Sequence, residues 1–260
     1  MTYNILDGGE DFFPEISNIV RQTNPDVLAV QEANDETLFY NLASELGFEA
    51  ALAEGNRGFH VGLLSRYPIT SWVNHPDKSI FHHTFLEAHL ETPFGALAAF
   101  IVHLRPGYEI VEEAKRVQEV NTALEYMRPY ANGLAFLAGD FNTMSPQDIL
   151  NLSDWPQNWQ IHLRLRGGEL PREAISQVLA AGYTDCYRSL YPAPGPGEDP
   201  ANSRYRSGYT LPAYKPNIRL DYIFVSPQLA RGLHSCEVVT AEGTNKASDH
   251  LPVVAEFRFS

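Results

Sequence analysis

A single α/β domain is the fold that the 260 residues predict, and three observations carry the reading. Apolar runs of strand length alternate with segments whose apolar residues recur every 3.6 positions. Hydrophobic residues make up 44% of the chain and aromatics 12%, ample for a buried core. No repeat and no shift of composition marks a boundary, so residues 1–260 read as one domain.

The elements follow in order. Tyr3 to Leu6 reads as a strand. Phe12 to Gln22 carries Phe12, Ile16, Ile19 and Val20 at helical spacing and is stopped by Asn24-Pro25-Asp26. Val27 to Val30 is a short apolar strand, and Glu36 to Leu46 is a helix ended by Gly47. Strands are predicted at Gly62 to Ser65, Ile69 to Val73, Phe85 to Leu90 and Ala96 to Val102. Glu109 to Met127 is predicted as a long helix. Its apolar stripe is Ile110, Ala114, Val117, Val120, Leu124 and Met127, with Glu112, Glu113, Lys115, Arg116 and Glu119 mostly on other faces. Leu134 to Ala138 is a strand, and Arg172 to Ala181 a helix closed by Gly182. Leu220 to Val225 and Val253 to Phe259 are the last strands. Between them, Tyr191 to Asn217 holds six prolines (Pro192, Pro194, Pro196, Pro200, Pro212 and Pro216) and three glycines, so no regular element is expected there.

Composition narrows the function classes. Thirty-two acidic against 19 basic side chains give a net charge of −13. Such a field repels a polyphosphate backbone unless basic groups gather in one cleft, which disfavours long duplex DNA. Bound divalent cations would offset several of those charges locally. Cys186 and Cys236 form no Cys-x-x-Cys and read as two free buried thiols. The opening Met1-Thr2-Tyr3-Asn4-Ile5 has neither a basic region nor a long apolar run. No signal peptide and no membrane span are expected, and a cytoplasmic location is the default.

Four apolar strands carry polar groups at their ends that a buried strand has no structural need for. Val27 to Val30 ends on Gln31-Glu32, Leu97 to Val102 on His103, and Leu134 to Ala138, after Gly139, on Asp140 and Asn142. Asp221 stands at the start of Tyr222 to Val225. Ligand sites in α/β proteins gather at strand ends, where the sheet holds side chains rigidly. Glu32, Asp140 and Asp249 together suit a hard divalent ion such as Mg²⁺ or Mn²⁺, and Asn4 and Asn142 can add amide oxygens. His103 and His250 can bind or protonate phosphoryl oxygens and activate water. Singly each has a plain alternative: a surface carboxylate at Glu32, a tight turn at Gly139 to Asn142, an ordinary histidine at His103, a loop at Ser248 to His250. Their joint occurrence points to a site.

With these residues in place, the sequence resembles the endonuclease/exonuclease/phosphatase superfamily, the deoxyribonuclease-I-like fold. The matching segments are Tyr3-Asn4-Ile5, Gln31-Glu32, Gly62 to Ile69, His103-Leu104, Gly139-Asp140-Phe141-Asn142, Arg219 to Ile223 and Ser248 to Pro252, in the family's order and across nearly the whole chain. The resemblance implies a four-layer α/β/β/α sandwich with two stacked mixed sheets. It further implies Glu32 as the principal metal ligand with Asn4 beside it, and Asp249 supporting the metal or a water bound to it. Asp140 would orient or deprotonate the attacking water, and Asn142 would hold a phosphate oxygen or a second ion. His250 would pair with Asp221, and His103 would donate to the scissile phosphate. Two departures are visible. The first strand is nearly flush with the N-terminus, where relatives usually have several residues ahead of the Asn. Asn4-Ile5-Leu6-Asp7 lacks the Asn-x-Asp spacing of some DNA-repair members, and Ala33 follows Glu32 in place of their Thr-Lys. The second departure argues against close kinship with abasic-site endonucleases.

The function expected is hydrolysis of a phosphodiester or phosphomonoester with Mg²⁺ or Mn²⁺, on a small or lipid-like phosphate ester. Arg204, Arg206 and Tyr209 of the Pro-rich loop are candidates to cover the substrate, arginines for phosphate and aromatics for a ring. A nuclease or DNA-end-processing phosphodiesterase is the second reading, and it requires Arg57, Arg105, Arg204 and Arg206 to cluster in one cleft. A catalytically silent binding scaffold is the third. The presence of Glu32, His103, Asp140, Asn142, Asp221, Asp249 and His250 together argues against it.

Overall fold

Strand-length apolar runs end up either between two sheets or between a sheet and a helix layer, and residue size decides which side faces which. In this computed structural model residues 1–165, 167–195, 197–199 and 203–259 are described, with Asp154 and His162 described by backbone alone; Pro196 and Pro200 of the Pro-rich loop therefore lie outside the described residues. One six-stranded sheet has the order β11 (Leu233–Val238), β12 (Val253–Phe257), β1 (Thr2–Asn4), β2 (Val27–Gln31), β4 (Val61–Ser65), β3 (Glu49–Ala53). The other has the order β5 (Ile69–His75), β6 (Phe85–Thr92), β7 (Gly95–His103), β8 (Leu134–Asp140), β10 (Asp221–Val225), β9 (Thr184–Asp185). Both are mixed: β1 and β2 run parallel, as do β7 and β8, and the other pairings are antiparallel.

The faces that meet between the sheets are rich in small residues, among them Ala29, Ala51, Ala53, Ala88, Ala99 and Ala138, with Leu63, Ile101 and Val225 between them. Because side chains alternate along a strand, the neighbours of these residues point outward. Leu28 and Val30 meet α1 (Phe13–Thr23) and α2 (Glu36–Leu46). Phe100, Leu137 and Phe224 meet α3 (Ile110–Met127) and α5 (Glu173–Ala180). The result is the four-layer sandwich implied by the resemblance. A satellite cluster of Met144, Trp155, Leu163, Leu170, Ile218 and Leu220 brings in α4 (Gln157–Arg164).

Three expectations are corrected. Glu49–Ala53 and Leu233–Val238 are strands that the pattern did not mark. The first is rich in Ala, Leu and Glu, residues that favour helix, and is strand because it pairs with β4. Helix α3 buries only the later part of the stripe its apolar residues suggest: Val120 and Met127 are in the core and Val117 and Leu124 pack against it, but the first turn is not buried. Ile110 is 80% and Val111 63% exposed, while Glu113, Arg116 and Glu119 are 1–2% exposed. Each buried charge has partners that decide the face. Glu113 accepts from Ala174 N at 2.8 Å at the start of α5, and Arg116 bonds Glu113, Arg105 O and Gly107 O. Glu119 accepts the N–H groups of His82 and Arg105 at 2.7 and 3.0 Å. These bonds hold the turn that follows His103.

A second buried ionic group lies under the Pro-rich loop. Arg219 bonds both Asp148 and Asp185, and Arg188, on α6 (Cys186–Leu190), bonds Asp148 and the carbonyls of Tyr191, Arg206 and Ser207. Two guanidinium groups thus balance two carboxylates, which is the condition for burying such charges. Cys186 and Cys236 are both free and buried. No helix among the described residues is long and apolar enough to cross a membrane.

Candidate active site

The topology brings the strand ends together. In the β7–β8–β10 ladder His103 pairs with Asp140 and Asp140 with Asp221, so three ionisable side chains stand in one row across adjacent strands. In the facing sheet Asn4 pairs with Gln31, which puts Glu32 just beyond the ladder at the same end of the sandwich. Gly139 permits the row. Its φ is +146°, and a Cβ there would lie 1.9 Å from Val102 O, so only glycine lets β7 approach the residue before Asp140 this closely. Glu32 and Asn142 are themselves held at φ +58° and +51°, left-handed conformations that non-glycine residues adopt at a cost and that concentrate at functional sites.

Asp140 Oδ2 is the meeting point. Asn4 Nδ2 lies 3.2 Å from it, His103 Nε2 3.6 Å and His250 Nε2 3.7 Å. Its other oxygen accepts Asn142 N–H at 2.9 Å, and Asn142 Nδ2 donates to Leu104 O at 3.0 Å. Asn4 Nδ2 also donates to Glu32 Oε1 at 3.1 Å, while Asp7 N–H donates to Glu32 Oε2 at 2.8 Å. Asn4 Oδ1 accepts Leu6 N–H at 3.1 Å. In that orientation Asn4 joins the two carboxylates through its amide nitrogen instead of offering the oxygen expected of a metal ligand. His250 Nδ1 lies 2.8 Å from Asp221 Oδ2. Ser248 fastens the last segment: its hydroxyl donates to Asn4 O at 2.7 Å and accepts His250 N–H at 3.1 Å.

The electrostatics separate the two imidazoles. Burial opposes charge on His250, yet Asp221 and Asp140 outweigh it and hold this histidine up to about 10. His103 is pushed down, its burial outweighing the pull of Asp140. Asp140 is raised, first by burial and then by Asp221, against His250 and His103. Near neutral pH the site therefore pairs a cationic His250 with a neutral His103. Asp249 is exposed, and its charge reaches His250 and the phenol of Tyr3.

The remaining candidates divide into two flanks. Arg57 and Arg105 both act on His82, whose imidazole is lowered by burial first and then by those two charges. Arg105 is itself ion-paired with Glu112 and bonded to His82 Nδ1, whereas Arg57 is exposed and makes no ion pair among the described residues. Arg204 donates to Leu190 O at 2.8 Å, and Arg206 lies over Tyr191, 3.8 Å from Glu237. Tyr209 donates to Ile149 O at 3.0 Å. These contacts tie Arg204, Arg206 and Tyr209 to the loop and its supports, so the four arginines do not form one cluster. Sequence reasoning marked the Ser248 to His250 segment but missed Tyr108. The Tyr108 phenol is raised to about 12 by burial first and then by Asp140, with Asp249 adding to it, and its ring packs 5.3 Å from that of Trp159. Only spatial proximity to the carboxylates marks it.

Two stacked mixed sheets flanked by helices, with a carboxylate–imidazole row at one end, define a protein of the deoxyribonuclease-I-like sandwich class. The chain belongs to the Endonuclease/Exonuclease/phosphatase family, whose sequence profile it matches over residues 1–250. Its fold is similar to the Neisseria 3′ phosphatase NExo (TM-score 0.72, 20% identity, 99% of this chain and 98% of that one). It is similar also to an AP endonuclease from Archaeoglobus fulgidus (TM-score 0.72, 17% identity, 99% and 98% covered). A mannosyl-6-phosphatase of Bacteroides thetaiotaomicron gives a TM-score of 0.65 at 18% identity, with 99% and 98% covered. Among curated proteins, the DNA repair nuclease APEX1 of Danio rerio is 36% identical over 84 residues, 32% of this chain and 24% of that protein. The chain thus matches about a quarter of that relative's length. This local likeness to a repair nuclease stands beside the departures at Asp7 and Ala33.

Proposed function

We propose that the protein hydrolyses a phosphate ester by in-line attack of an activated water, with Mg²⁺ or Mn²⁺. The observation that carries the reading is Asp140 Oδ2, on which two imidazoles and the Asn4 amide converge while the same amide reaches Glu32. A hard cation fits the donors. Among the described residues Glu32, Asp140, Asp221 and Asp249 form no ion pair with Lys or Arg, and Asp221 Oδ1 is a buried oxygen without a hydrogen-bond partner. Asp140, Asp221 and His250 lie within 4.8 Å of one another, and the cationic His250 serves there as a donor, leaving the carboxylate oxygens to face a cation. Glu32 would be the principal ligand, with Asp249 in support. The ion, when bound, supplies positive charge to the phosphoryl oxygens.

The chain's own groups do the rest. Asp140 orients the attacking water and accepts its proton. His250, kept cationic by Asp221, donates to a phosphoryl oxygen and stabilises charge that develops there. His103 donates from Nε2 on the other side. Asn142 carries a second amide N–H beyond the one given to Leu104 and can use it on a phosphate oxygen.

A small phosphate ester is the substrate class favoured by the net charge of −13 and by the separation of the arginines into two flanks. A nuclease or DNA-end-processing reading is favoured by the local likeness to a DNA repair nuclease. One experiment tests both: bis-p-nitrophenyl phosphate, nucleotides, inositol phosphates, and single- and double-stranded oligonucleotides are assayed with Mg²⁺, Mn²⁺ and chelator. Turnover of small esters with little salt dependence supports the first reading. Oligonucleotide cleavage falling steeply with salt supports the second. Turnover that is unchanged in both Glu32→Gln and His250→Ala would remove the mechanism.

A further inference from the structure

Three loops beside the candidate active site are laced together by buried polar groups, and each brings a hydrogen-bond donor to the surface. Asn56 is buried and bonds the backbone on either side of His82: its N–H donates to His83 O at 2.8 Å and its Nδ2 to Phe81 O at 3.0 Å. Glu119, also buried, accepts the N–H of His82 at 2.7 Å and that of Arg105 at 3.0 Å. The loops that carry Arg57, His82 and Arg105 are thus fixed to one another. They adjoin the site. His83 stacks on the His103 ring at 4.3 Å, and Phe59 packs on the same pair, at 4.9 Å from His83 and edge-on to His103 at 6.1 Å.

The first loop is built around Arg57. Its φ is +68°, a left-handed conformation that is costly without glycine and concentrates at functional sites. Gly55 closes the turn, since a Cβ there would stand 1.5 Å from Phe59 O. Arg57 is exposed and has no ion pair among the described residues, in a chain of net charge −13. The second donor is His82. Arginine can only donate, so Arg105 Nη1, 3.1 Å from His82 Nδ1, makes that nitrogen the acceptor, and the neutral ring carries its proton on Nε2. This Nε2–H is accessible and meets no partner among the described residues. Burial first, and then Arg105 and Arg57, keep the imidazole neutral, as that tautomer requires. Glu112 takes Nε and Nη2 of Arg105 and leaves Nη1 to His82. It also balances the Arg105 charge, so Arg57 supplies the uncompensated positive charge of the group.

We propose that Arg57 and His82 form a second anion subsite beside the candidate active site, with Arg105 holding His82 in its donor tautomer, and that the substrate carries a further phosphate next to the one attacked. A guanidinium fork with one fixed N–H suits phosphate oxygens. For the substrate the proposal rests on the function proposed above; the subsite itself does not.

The test has two arms. In metal-free, full-length protein with ¹⁵N-labelled histidine, inorganic phosphate is titrated while His82 is followed in long-range ¹H–¹⁵N spectra, assigned by its absence in His82→Gln. The His82 signals should shift and saturate. Arg57→Ala should weaken the apparent affinity read at His82 fivefold or more, and Arg57→Lys less. No shift at His82, or the same affinity in Arg57→Ala, would overturn the subsite whether or not phosphate esters are substrates. The second arm compares kcat/KM for esters that differ by one phosphate: an inositol monophosphate and bisphosphate, a nucleoside monophosphate and bisphosphate, and a dinucleotide with and without a terminal phosphate. The preference for the more phosphorylated member should fall tenfold or more in Arg57→Ala, through KM. A fall confined to the small-molecule pairs identifies a free bisphosphate, and one confined to the dinucleotides a nucleic-acid strand. The same preference in variant and wild type for every pair would overturn the second phosphate. If phosphate binds at His82 as stated and no ester is turned over, the proposed function fails and the subsite stands.

Discussion

His250 and Asp221 form the shortest contact between two side chains of the site, Nδ1 to Oδ2 at 2.8 Å, and both are buried. The carboxylate sets the charge of the imidazole against a desolvation that alone would neutralise it. Asp221→Asn keeps the shape and removes the charge. The His250 midpoint, about 10 with Asp221 in place, should fall by more than one unit when followed by NMR titration. The kcat on a phosphodiester should drop by roughly 10²–10⁴. A His250 midpoint that stays where it was would show that Asp140 alone maintains the cation.

A cation held as proposed, by Glu32 with Asp249 in support, would stabilise the folded state by mass action, independently of turnover. Adding Mg²⁺ or Mn²⁺ to chelator-treated protein should raise Tm with rising ion concentration. Glu32→Gln should lose most of that rise while its ion-free Tm stays within a few degrees of the wild type. An equal rise in the variant would place the ion away from Glu32.

His83 bears on acid stability. Its imidazole is held neutral down to about 2, by burial first and then by His103 and His82. The unfolded chain takes up the proton near 6.5, so below that pH it binds more protons than the folded state. This contribution to stability is complete above about 6.5 and is lost progressively as pH falls toward 2. One proton corresponds to at most about 1.4 kcal/mol per pH unit. Urea unfolding between pH 4 and 6.5 should therefore show a shallower pH dependence in His83→Phe. An unchanged slope would mean that His83 is protonated in the fold.

Arg219 holds Asp148 and Asp185 in the ionic group beneath the Pro-rich loop. Arg219→Met leaves a buried carboxylate in excess, and removing one partner of such a group costs about 3–5 kcal/mol. Chemical denaturation should report a loss of that size. Arg206→Ala, on the exposed side of the same loop, should change stability by well under 1 kcal/mol.

Much of the site was legible because its residues break a local rule. Glu32, His103, Asp140 and Asp221 put ionisable groups at the ends of apolar runs where burial favours none, and period alone locates those ends. The family order of the segments from Asn4 to His250 added the fold. What stayed hidden was hidden for a physical reason. Glu113, Arg116 and Glu119 read as the solvent face of a helix, since nothing near them in sequence says that two loop N–H groups and the start of α5 need acceptors. Asn4 offers both an oxygen and a nitrogen, and only the Leu6 N–H decides which one faces the carboxylates.

By itself the sequence determined the alternation of strands and helices, the strand ends that carry chemistry, and the family to which they belong. These depend on side-chain period and on residue type, which are local properties. Tertiary structure alone decided the row His103–Asp140–Asp221, the left-handed turn at Glu32, the division of the arginines between two flanks, and the stacking of His83 on His103. Each of these is set between segments distant in the sequence, by strand register and by which buried polar groups find partners.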